Sequence, residues 1–321
     1  MSILKYGYTS FEITMRLLIT GGAGFVGSHI VEWHVRQGDQ VLVVDNLCTG
    51  KTHNIPSGVS FEQIDVADCQ FRKITSLFKP DLITHCAAQA SVADSVDNPV
   101  LDAKSNILGG LNVWRAASES NCTEFTYIAT GGALYGPPEY LPCDEDHPIQ
   151  PVSPYGLSKW TLEQYLKMLF DESVSLKVLR LSNVYGPRQD PGGEAGVVAI
   201  FGQSMLMNKT IRVFGDGEQT RDFVYAGDVA RAHAFAIRTP GSLTVNISSG
   251  VGTTVNELCR MMSAETGYTG TIRYESERFG DVRDSVMSNV RAKTLLEWEP
   301  ETSLSSGLKQ TLRWFKENSN L

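Results

Sequence analysis

Thr20-Gly21-Gly22-Ala23-Gly24-Phe25-Val26-Gly27 follows the apolar run Leu17-Leu18-Ile19 and precedes Ser28 to Val35, which reads as the start of a helix. Strand, glycine turn and helix in this order bring backbone N–H groups to a pyrophosphate at the helix N-terminus. In this reading Gly21 makes the tight turn, Gly24 leaves room for the phosphates, and Gly27 lets helix and strand pack closely. The spacing is Gly-x-x-Gly-x-x-Gly rather than Gly-x-Gly-x-x-Gly, and glycines alone also suit a plain strand-to-helix turn. The next strand, Val41-Leu42-Val43-Val44, decides between the two because it ends on Asp45. That carboxylate follows the glycines by about 20 residues, where it accepts hydrogen bonds from an adenosine ribose. It would repel a 2′-phosphate, which favours NAD over NADP.

Composition bounds the rest. A chain of 321 residues holds one large domain or two smaller ones. Its 42% hydrophobic and 20% charged residues are ordinary for a soluble globular protein. A net charge of −8 argues against a nucleic-acid partner. No apolar run reaches the roughly 18 residues of a membrane span, so no membrane partner is expected. Met1 to Thr14 lacks the apolar core and small-residue cleavage site of a secretory signal, and is expected to be a disordered leader before Met15. Cys48, Cys69, Cys86, Cys122, Cys143 and Cys259 include no Cys-x-x-Cys pair. They read as reduced thiols of a cytoplasmic protein, and no metal site is expected.

Along the chain, Asn46-Leu47-Cys48-Thr49-Gly50 is a polar loop at a strand's carboxyl end. Val59 to Val66 alternates as a third strand closed by Asp65, which either binds the adenine amine or caps a helix running to Phe78. Asp81 to Ala88 is a fourth strand whose small terminal residues let a flat ligand approach; His85 within it reads as structural. Leu101 to Ser118 has helical spacing, and Phe125 to Ala129 is a fifth strand ending at Thr130-Gly131-Gly132. A proline-rich acidic loop leads to a helix over Tyr155 to Phe170, and Leu176 to Leu181 is a sixth strand. This alternation predicts an α/β fold over 15–187, a Rossmann-like doubly wound parallel sheet with ligands at the strands' carboxyl ends. Residues 188–321 read mainly as a smaller α/β lobe laid over that end, with some segments returning to the first domain. The lobe's expected elements are helices over Val197–Met207, Val255–Thr266 and Leu308–Glu317, and strands over Ile211–Phe214, Thr244–Ile247 and Thr271–Tyr274.

Tyr155 and Lys159 are four residues apart and share one helix face. A tyrosine with its ordinary pKa of about 10 is a poor base at neutral pH. A cationic lysine beside it, with a positive nicotinamide ring, favours the phenolate. Lys159 can also hydrogen-bond the nicotinamide ribose, and Thr130 can hold the reacting hydroxyl. Together these groups remove a proton from a sugar hydroxyl while its carbon gives up hydride to NAD.

Thr20-Gly-Gly-Ala-Gly-Phe-Val-Gly27, Val44-Asp45-Asn46-Leu47, His85-Cys-Ala-Ala-Gln89, Tyr155-Gly-Leu-Ser-Lys159, Arg180-Leu-Ser-Asn-Val-Tyr-Gly-Pro-Arg188 and Arg221-Asp-Phe-Val-Tyr225 resemble the extended short-chain dehydrogenase/reductase family. The resemblance runs from about Met15 to the C-terminus and is closest to nucleotide-sugar epimerases and dehydratases. It implies tightly held NAD, reduced and reoxidised within one cycle, a homodimer, and a nucleoside-diphosphate sugar, usually a UDP-hexose, oxidised at C4. NAD would then touch Gly21, Gly24, Phe25, Val26 and Gly27. Its further contacts would be Asp45, Asn46, Thr49 and Gly50 on one loop, and Asp65 and Val66 after the third strand. Ala87, Ala88 and Gln89, with Asn106, Tyr155 and Lys159, would complete its site. For the substrate, Asn183 would contact the diphosphate, the Val213-Phe214 backbone the uracil, and Arg221 and Arg283 the phosphates. Either arginine reads otherwise as a surface ion pair. Ser91 and Thr130 would lie beside the sugar. Ser285 falls near a position that limits room around the sugar C2 substituent, and so small a residue suggests a UDP-N-acetylhexosamine.

Two outcomes stay open. A 4-epimerase returns hydride to the other face of a 4-keto sugar; a dehydratase instead loses water across C5 and C6. The family's 4,6-dehydratases place Asp and Glu directly after the threonine, where this chain has Gly131 and Gly132. That disfavours a conventional 4,6-dehydratase but leaves a tunicamycin-type UDP-GlcNAc 5,6-dehydratase, with Cys143, Glu145 and Cys48 as loop candidates for an acid or base. A one-residue shift at this turn would set Gly131 in the hydroxyl position and remove the role of Thr130. A regulator that binds NAD without turnover is the remote alternative.

Overall fold

The computed structural model describes residues 14–169, 173–192, 196–277 and 282–318; the expected leader, apart from Thr14, lies outside them. Strands buried on both faces need unbroken apolar runs, and the helices covering them need apolar stripes. The chain supplies both in alternation. β1 (Arg16–Thr20), α1 (Phe25–Arg36), β2 (Gln40–Asp45), β3 (Ser60–Gln63), α2 (Gln70–Phe78) and β4 (Leu82–His85) come first. The next crossover is α3 (Val92–Asp97), α4 (Pro99–Ala103), a π-helical turn over Lys104–Leu108, and α5 (Gly109–Ser118). β5 (Glu124–Thr130), α6 (Pro154–Met168) and β6 (Ser175–Leu181) complete this half.

The remaining elements are β7 (Asn183–Tyr185), α7 (Val197–Leu206), β8 (Ile211–Phe214), β9 (Thr220–Tyr225), α8 (Ala226–Ala236) and β10 (Leu243–Ile247). β11 (Gly252–Thr254), α9 (Val255–Thr266), β12 (Ile272–Glu275), β13 (Asp284–Ser285), α10 (Val290–Leu296) and α11 (Leu304–Asn318) follow. Seven strands form one sheet in the order β10-β6-β5-β4-β1-β2-β3, every neighbouring pair parallel.

Alternate residues of β1 face opposite cores. Leu17 and Ile19 pack with Ile30, Val229 and Trp298 on one side. Leu18 packs with Phe71, Trp114 and Leu162 on the other. A separate core joins Phe201, Met205, Leu258, Met262, Leu312 and Phe315 in the second lobe. The strand expected in that lobe over Thr244–Ile247 is instead the edge of the large sheet, paired with β6 from Leu243 onward. It gets there because α8 packs on α1 and supplies the crossover. Small sheets built on β9, which pairs with β7, β11 and β13, hold the lobe against the first domain. No helix among the described residues is long and apolar enough to cross a membrane.

Candidate active site

The glycine turn is packed as tightly as its composition requires. Gly21 has φ +69°, and a side chain there would meet the Ala87 backbone nitrogen at 2.6 Å. A Cβ on Gly27 would stand 2.2 Å from the Gly21 carbonyl oxygen, so only glycine lets α1 lie this close to the turn. Gly24 differs: a Cβ there would meet only the Gly21 oxygen, at 3.2 Å. The space above it is a cradle that one methyl group would begin to fill. It opens at the N-terminus of α1, where Gly24 makes no side-chain cap and Phe25 and Val26 begin the helix.

Asp45 ends β2 beside this cradle. Its carboxylate accepts from Ala23 N at 3.0 Å and Leu47 N at 2.8 Å, which holds it over the turn. A Cβ on Gly50 would meet that carboxylate at 2.8 Å, so the loop carrying Thr49 presses on it. Asn46 Nδ2 donates to Asp65 Oδ2 at 2.9 Å, joining the ends of β2 and β3. Asp65 is not a helix cap. Its other oxygen accepts from Ala67 N, and α2 begins only after Asp68, whose carboxylate accepts from Gln70 N. Val66 is buried in the core beneath, and its carbonyl accepts from Asn112.

Ala87, Ala88 and Gln89 leave β4 as a half-buried loop. Asn106, expected to touch the cofactor, is buried and reaches this loop from behind. Its Oδ1 accepts from Gln89 N, and its Nδ2 faces Gln89 O, Asp102 Oδ1 and Ser158 Oγ. It positions the loop rather than facing the cradle. The π-helical turn places Asn106 there. The Gln89 side-chain oxygen is buried without a hydrogen-bond partner. Ser91, expected beside the sugar, caps α3 by accepting from Asp94 N. His85 is buried, pairs with Thr20 Oγ1 at 2.8 Å, and is pushed by burial down to about 3, which keeps it neutral. The cradle, the Asp45 carboxylate and the orphaned Gln89 oxygen suit a dinucleotide.

The candidate reacting groups, Tyr155 and Lys159, sit on α6. Pro154 opens the helix and the Ser153 hydroxyl accepts from Gly156 N. A Cβ on Gly156 would meet the Ala133 oxygen at 2.2 Å, so the turn bearing Tyr155 abuts the turn after β5. Lys159 lies one turn further on and is buried. Its Nζ donates to Ile128 O at 2.8 Å and stands 4.6 Å from the Tyr127 ring centre. Burial pushes its ammonium from 10.5 down to about 8. Glu163 on the same helix binds Arg180 of β6 through both oxygens, at 2.7 and 3.1 Å. Thr130 ends β5, and its Oγ1 accepts from Ala133 N at 3.3 Å, so its O–H is left to donate elsewhere.

Gly131 and Gly132 have different surroundings. A Cβ on Gly131 would lie 2.3 Å from Met287 Cε, whereas one on Gly132 would meet only Asn183 Oδ1 at 3.8 Å. That Asn183 oxygen is itself buried without a partner. β9 gathers the substrate candidates: Asn183 pairs with Phe223, and Ser285 with Arg221. Arg221 Nη1 donates to Thr220 O at 2.8 Å and Arg283 O at 3.3 Å. Arg283 forms a two-pronged ion pair with Asp216, at 2.7 and 3.0 Å. Both are about half exposed, so without a ligand Arg283 makes the surface ion pair that was its other reading. Val213 is buried in the lobe core, and the Phe214 carbonyl accepts from Gln219 Nε2 at 2.7 Å. Of the candidate acids and bases for dehydration, Cys143 packs against Met287, beside Gly131. Burial pushes the Cys143 thiol up to about 11. Glu145 accepts from Asn246 N and pairs with Arg291, and Cys48 is exposed.

Asp222 was not singled out by sequence. It is buried, and accepts from Ser182 Oγ, Ser249, Gly250 N and Met287 N, so it holds Met287 against Gly131. Its only signal was its place beside Arg221 in the Arg-Asp-Phe-Val-Tyr stretch.

Residues 17–248 match the model of the NAD dependent epimerase/dehydratase family. The chain is 42% identical over 305 residues to a putative UDP-glucose 4-epimerase of Methanocaldococcus jannaschii, covering 94% of this chain and 99% of that protein. It is 43% identical to the solved UDP-glucose 4-epimerase of Thermotoga maritima with UDP-glucose, at TM-score 0.92, over 94% and 99% of the two chains. It also resembles the UDP-N-acetylglucosamine 4-epimerase of Methanobrevibacter ruminantium in complex with UDP-N-acetylmuramic acid. There the identity is 29%, the TM-score 0.90 and the coverage 95% and 99%.

Proposed function

The chain belongs to the NAD dependent epimerase/dehydratase family, is an NAD-dependent enzyme, and from that premise we propose that it epimerises a UDP-hexose at C4 and admits an N-acetyl group at C2. Bound NAD supplies the hydride acceptor and donor for C4. Tyr155 takes the proton of the C4 hydroxyl and returns it. The Lys159 ammonium, one helical turn away, stabilises the phenolate. The Thr130 O–H donates to the C4 oxygen and fixes its distance from the phenol. Asn183, with its unpartnered oxygen turned toward the Gly132 space, and Arg221 hold the substrate beyond the reacting carbon. The 4-keto sugar turns over in the space beside Gly132 and presents its other face.

One observation favours epimerisation over dehydration. Met287 fills the place that a side chain on Gly131 would take, and Gly132 adds none, so no acid or base follows Thr130. The test is incubation with UDP-GlcNAc followed by product mass and chromatography. An epimer keeps the mass of the substrate, and a product lighter by one water overturns the reading. Ser285, half-buried and paired with Arg221, supports the N-acetyl group. UDP-glucose is the second reading, because the relatives above 40% identity carry that name. Turnover of UDP-glucose far above that of UDP-GlcNAc would sink the N-acetyl reading and leave C4 chemistry intact.

We also propose a cytoplasmic homodimer. Val96, Val100, Leu101, Leu108, Leu157 and Met168 are apolar and exposed on α3, α4, the π-helical turn and α6. A second copy of that face would cover them. Light scattering of Met168→Asp against the unmodified chain tests it, a monomer being expected for the variant.

A further inference from the structure

We propose that Ser95 is a positioning residue for Tyr155, setting the phenol's place from a separate helix; the proposal rests on the role given to Tyr155 above. The first turn of any helix leaves backbone N–H groups without helical partners. In α6 each of these is accounted for. Pro154 has no N–H. Gly156 N donates to the Ser153 hydroxyl and Leu157 N to the Ser153 carbonyl. Tyr155 N alone goes outside the helix, to Ser95 Oγ at 3.1 Å, across 60 positions of chain.

Ser95 is fully buried on α3. Its own O–H donates to Val92 O at 2.6 Å, so the lone pair offered to Tyr155 is fixed in direction. The other side of the same residue is held too: Ser158 Oγ donates to Tyr155 O at 3.0 Å and faces Asn106 Nδ2 at 3.2 Å. Asn106 in turn grips Gln89 by its backbone. α3 begins three residues beyond Gln89, capped by Ser91, whose carbonyl accepts from Gln89 Nε2. Both peptide groups of Tyr155 are thus tied by serine hydroxyls to the loop that leaves β4. A shift of that loop or of α3 moves the phenol with it.

A Tyr155 main chain set loose moves the phenol relative to Lys159 without removing any group that binds substrate. The titratable groups around this helix face are Tyr155, Lys159 and Glu163 on α6, Tyr127 on β5, Asp102 on α4, and Cys86 and His85 at the end of β4. None is altered by changing Ser95. The experiment compares Ser95→Ala and Ser95→Cys with the unmodified holoenzyme, with kcat counted per bound NAD and thermal unfolding run alongside. Ser95→Cys leaves no cavity and keeps a weak acceptor, which tests the case in which the alanine variant folds poorly. We expect kcat to fall about tenfold, in line with sub-ångström misplacement of a reacting group, with KM for the UDP-sugar unchanged within about twofold. The acid limb of the kcat–pH profile should move to higher pH, because a phenol further from the ammonium ionises less readily. The cysteine variant should move it in the same direction by less. An unshifted acid limb in both variants, or KM and kcat changing only in step with the folded fraction, overturns the proposal. Tyr155→Phe serves as the separate control. If it stays fully active, the catalytic reading fails; if it is inactive while both Ser95 variants match the unmodified enzyme, only the positioning role fails.

Discussion

Gly24 and Gly27 stand three residues apart in one turn, yet an alanine at each should fail differently. At Gly27 the added Cβ would lie 2.2 Å from the Gly21 oxygen and 2.8 Å from its carbonyl carbon. Ordinary contact needs about 1 Å more, and the obstacle is backbone on both sides. Helix α1 must back away from the turn by roughly that amount. Overpacking of this kind costs about 1–3 kcal/mol. For a chain of this size it lowers Tm by about 2–10 °C. The same displacement draws the N–H groups of Phe25 and Val26 from the pyrophosphate, so NAD retention falls as well. At Gly24 the nearest atom to an added Cβ is the Gly21 oxygen at 3.2 Å, and φ is −78°, which alanine adopts freely. Gly24→Ala should therefore fold with the Tm of the NAD-free unmodified chain, while its methyl occupies the phosphate cradle. The assay measures NAD co-purifying with each variant, together with thermal unfolding. Gly24→Ala holding as much NAD as the unmodified chain would refute the cradle. Gly27→Ala with an unchanged Tm would refute the packing argument.

Tyr155→Phe should lower kcat about 10²–10⁴-fold, the usual contribution of a positioned base, with UDP-sugar binding by calorimetry retained. Glu163→Gln removes a charge that Arg180 holds through both its oxygens in a buried site, and should cost about 3–5 kcal/mol by denaturant unfolding. A loss below 1 kcal/mol would mean the pair is solvated. Ser285→Tyr should cut kcat/KM for UDP-GlcNAc about a hundredfold while sparing UDP-glucose; equal losses would remove Ser285 from the C2 site. Lys159 is 10.5 in its ordinary state and about 8 in the fold. The unfolded chain binds more protons between those values, so stability attributable to this group rises as pH climbs from 8 to 10.5 and is lost below 8. Lys159→Met should therefore raise Tm at pH 7 and leave it unchanged above 10.5, while abolishing turnover. In the unmodified enzyme, kcat should fall on the alkaline side through about pH 8 as the ammonium discharges.

Much of the first domain could be read before any coordinates. β1 and β2 are buried on both faces, so Leu17-Leu18-Ile19 and Val41–Val44 had to be unbroken apolar runs. Their glycine turn and terminal Asp45 follow from the same requirement for close approach. The second lobe was harder. β7, β11 and β13 are short, and their pairing with β9 depends on segments far apart in sequence, which no local pattern reports. The alanine-rich α8 lacks the contrast between faces that marks an amphipathic helix, because much of its length is buried. Ionisable residues showed the same limit. Arg221 and Arg283 look alike in sequence, and only the fold gives Arg283 to Asp216. Asn106 entered as a cofactor contact through the resemblance alone; that the π-helical turn ties it to the Gln89 backbone is visible only in the fold.

The placement of Lys159 explains why so many unreactive residues converge on α6. A cation buried this deeply disfavours the folded state at neutral pH, and the helix must hold it there. Its attraction to the Tyr127 ring and the Ile128 carbonyl offsets part of that cost. The rest has to come from contacts that do no chemistry. Glu163 ties α6 to β6, the Tyr127 hydroxyl donates to the Lys159 carbonyl at 3.2 Å, and Gly156 lets the first turn close on Ala133. These contacts fix α6 against β5, β6 and the turn that follows Thr130. A helix so anchored can present a phenol and an ammonium one turn apart at fixed spacing. Loosening the Tyr127 or Gly156 anchor should therefore show in kcat, whereas breaking the Glu163–Arg180 pair costs the fold as well.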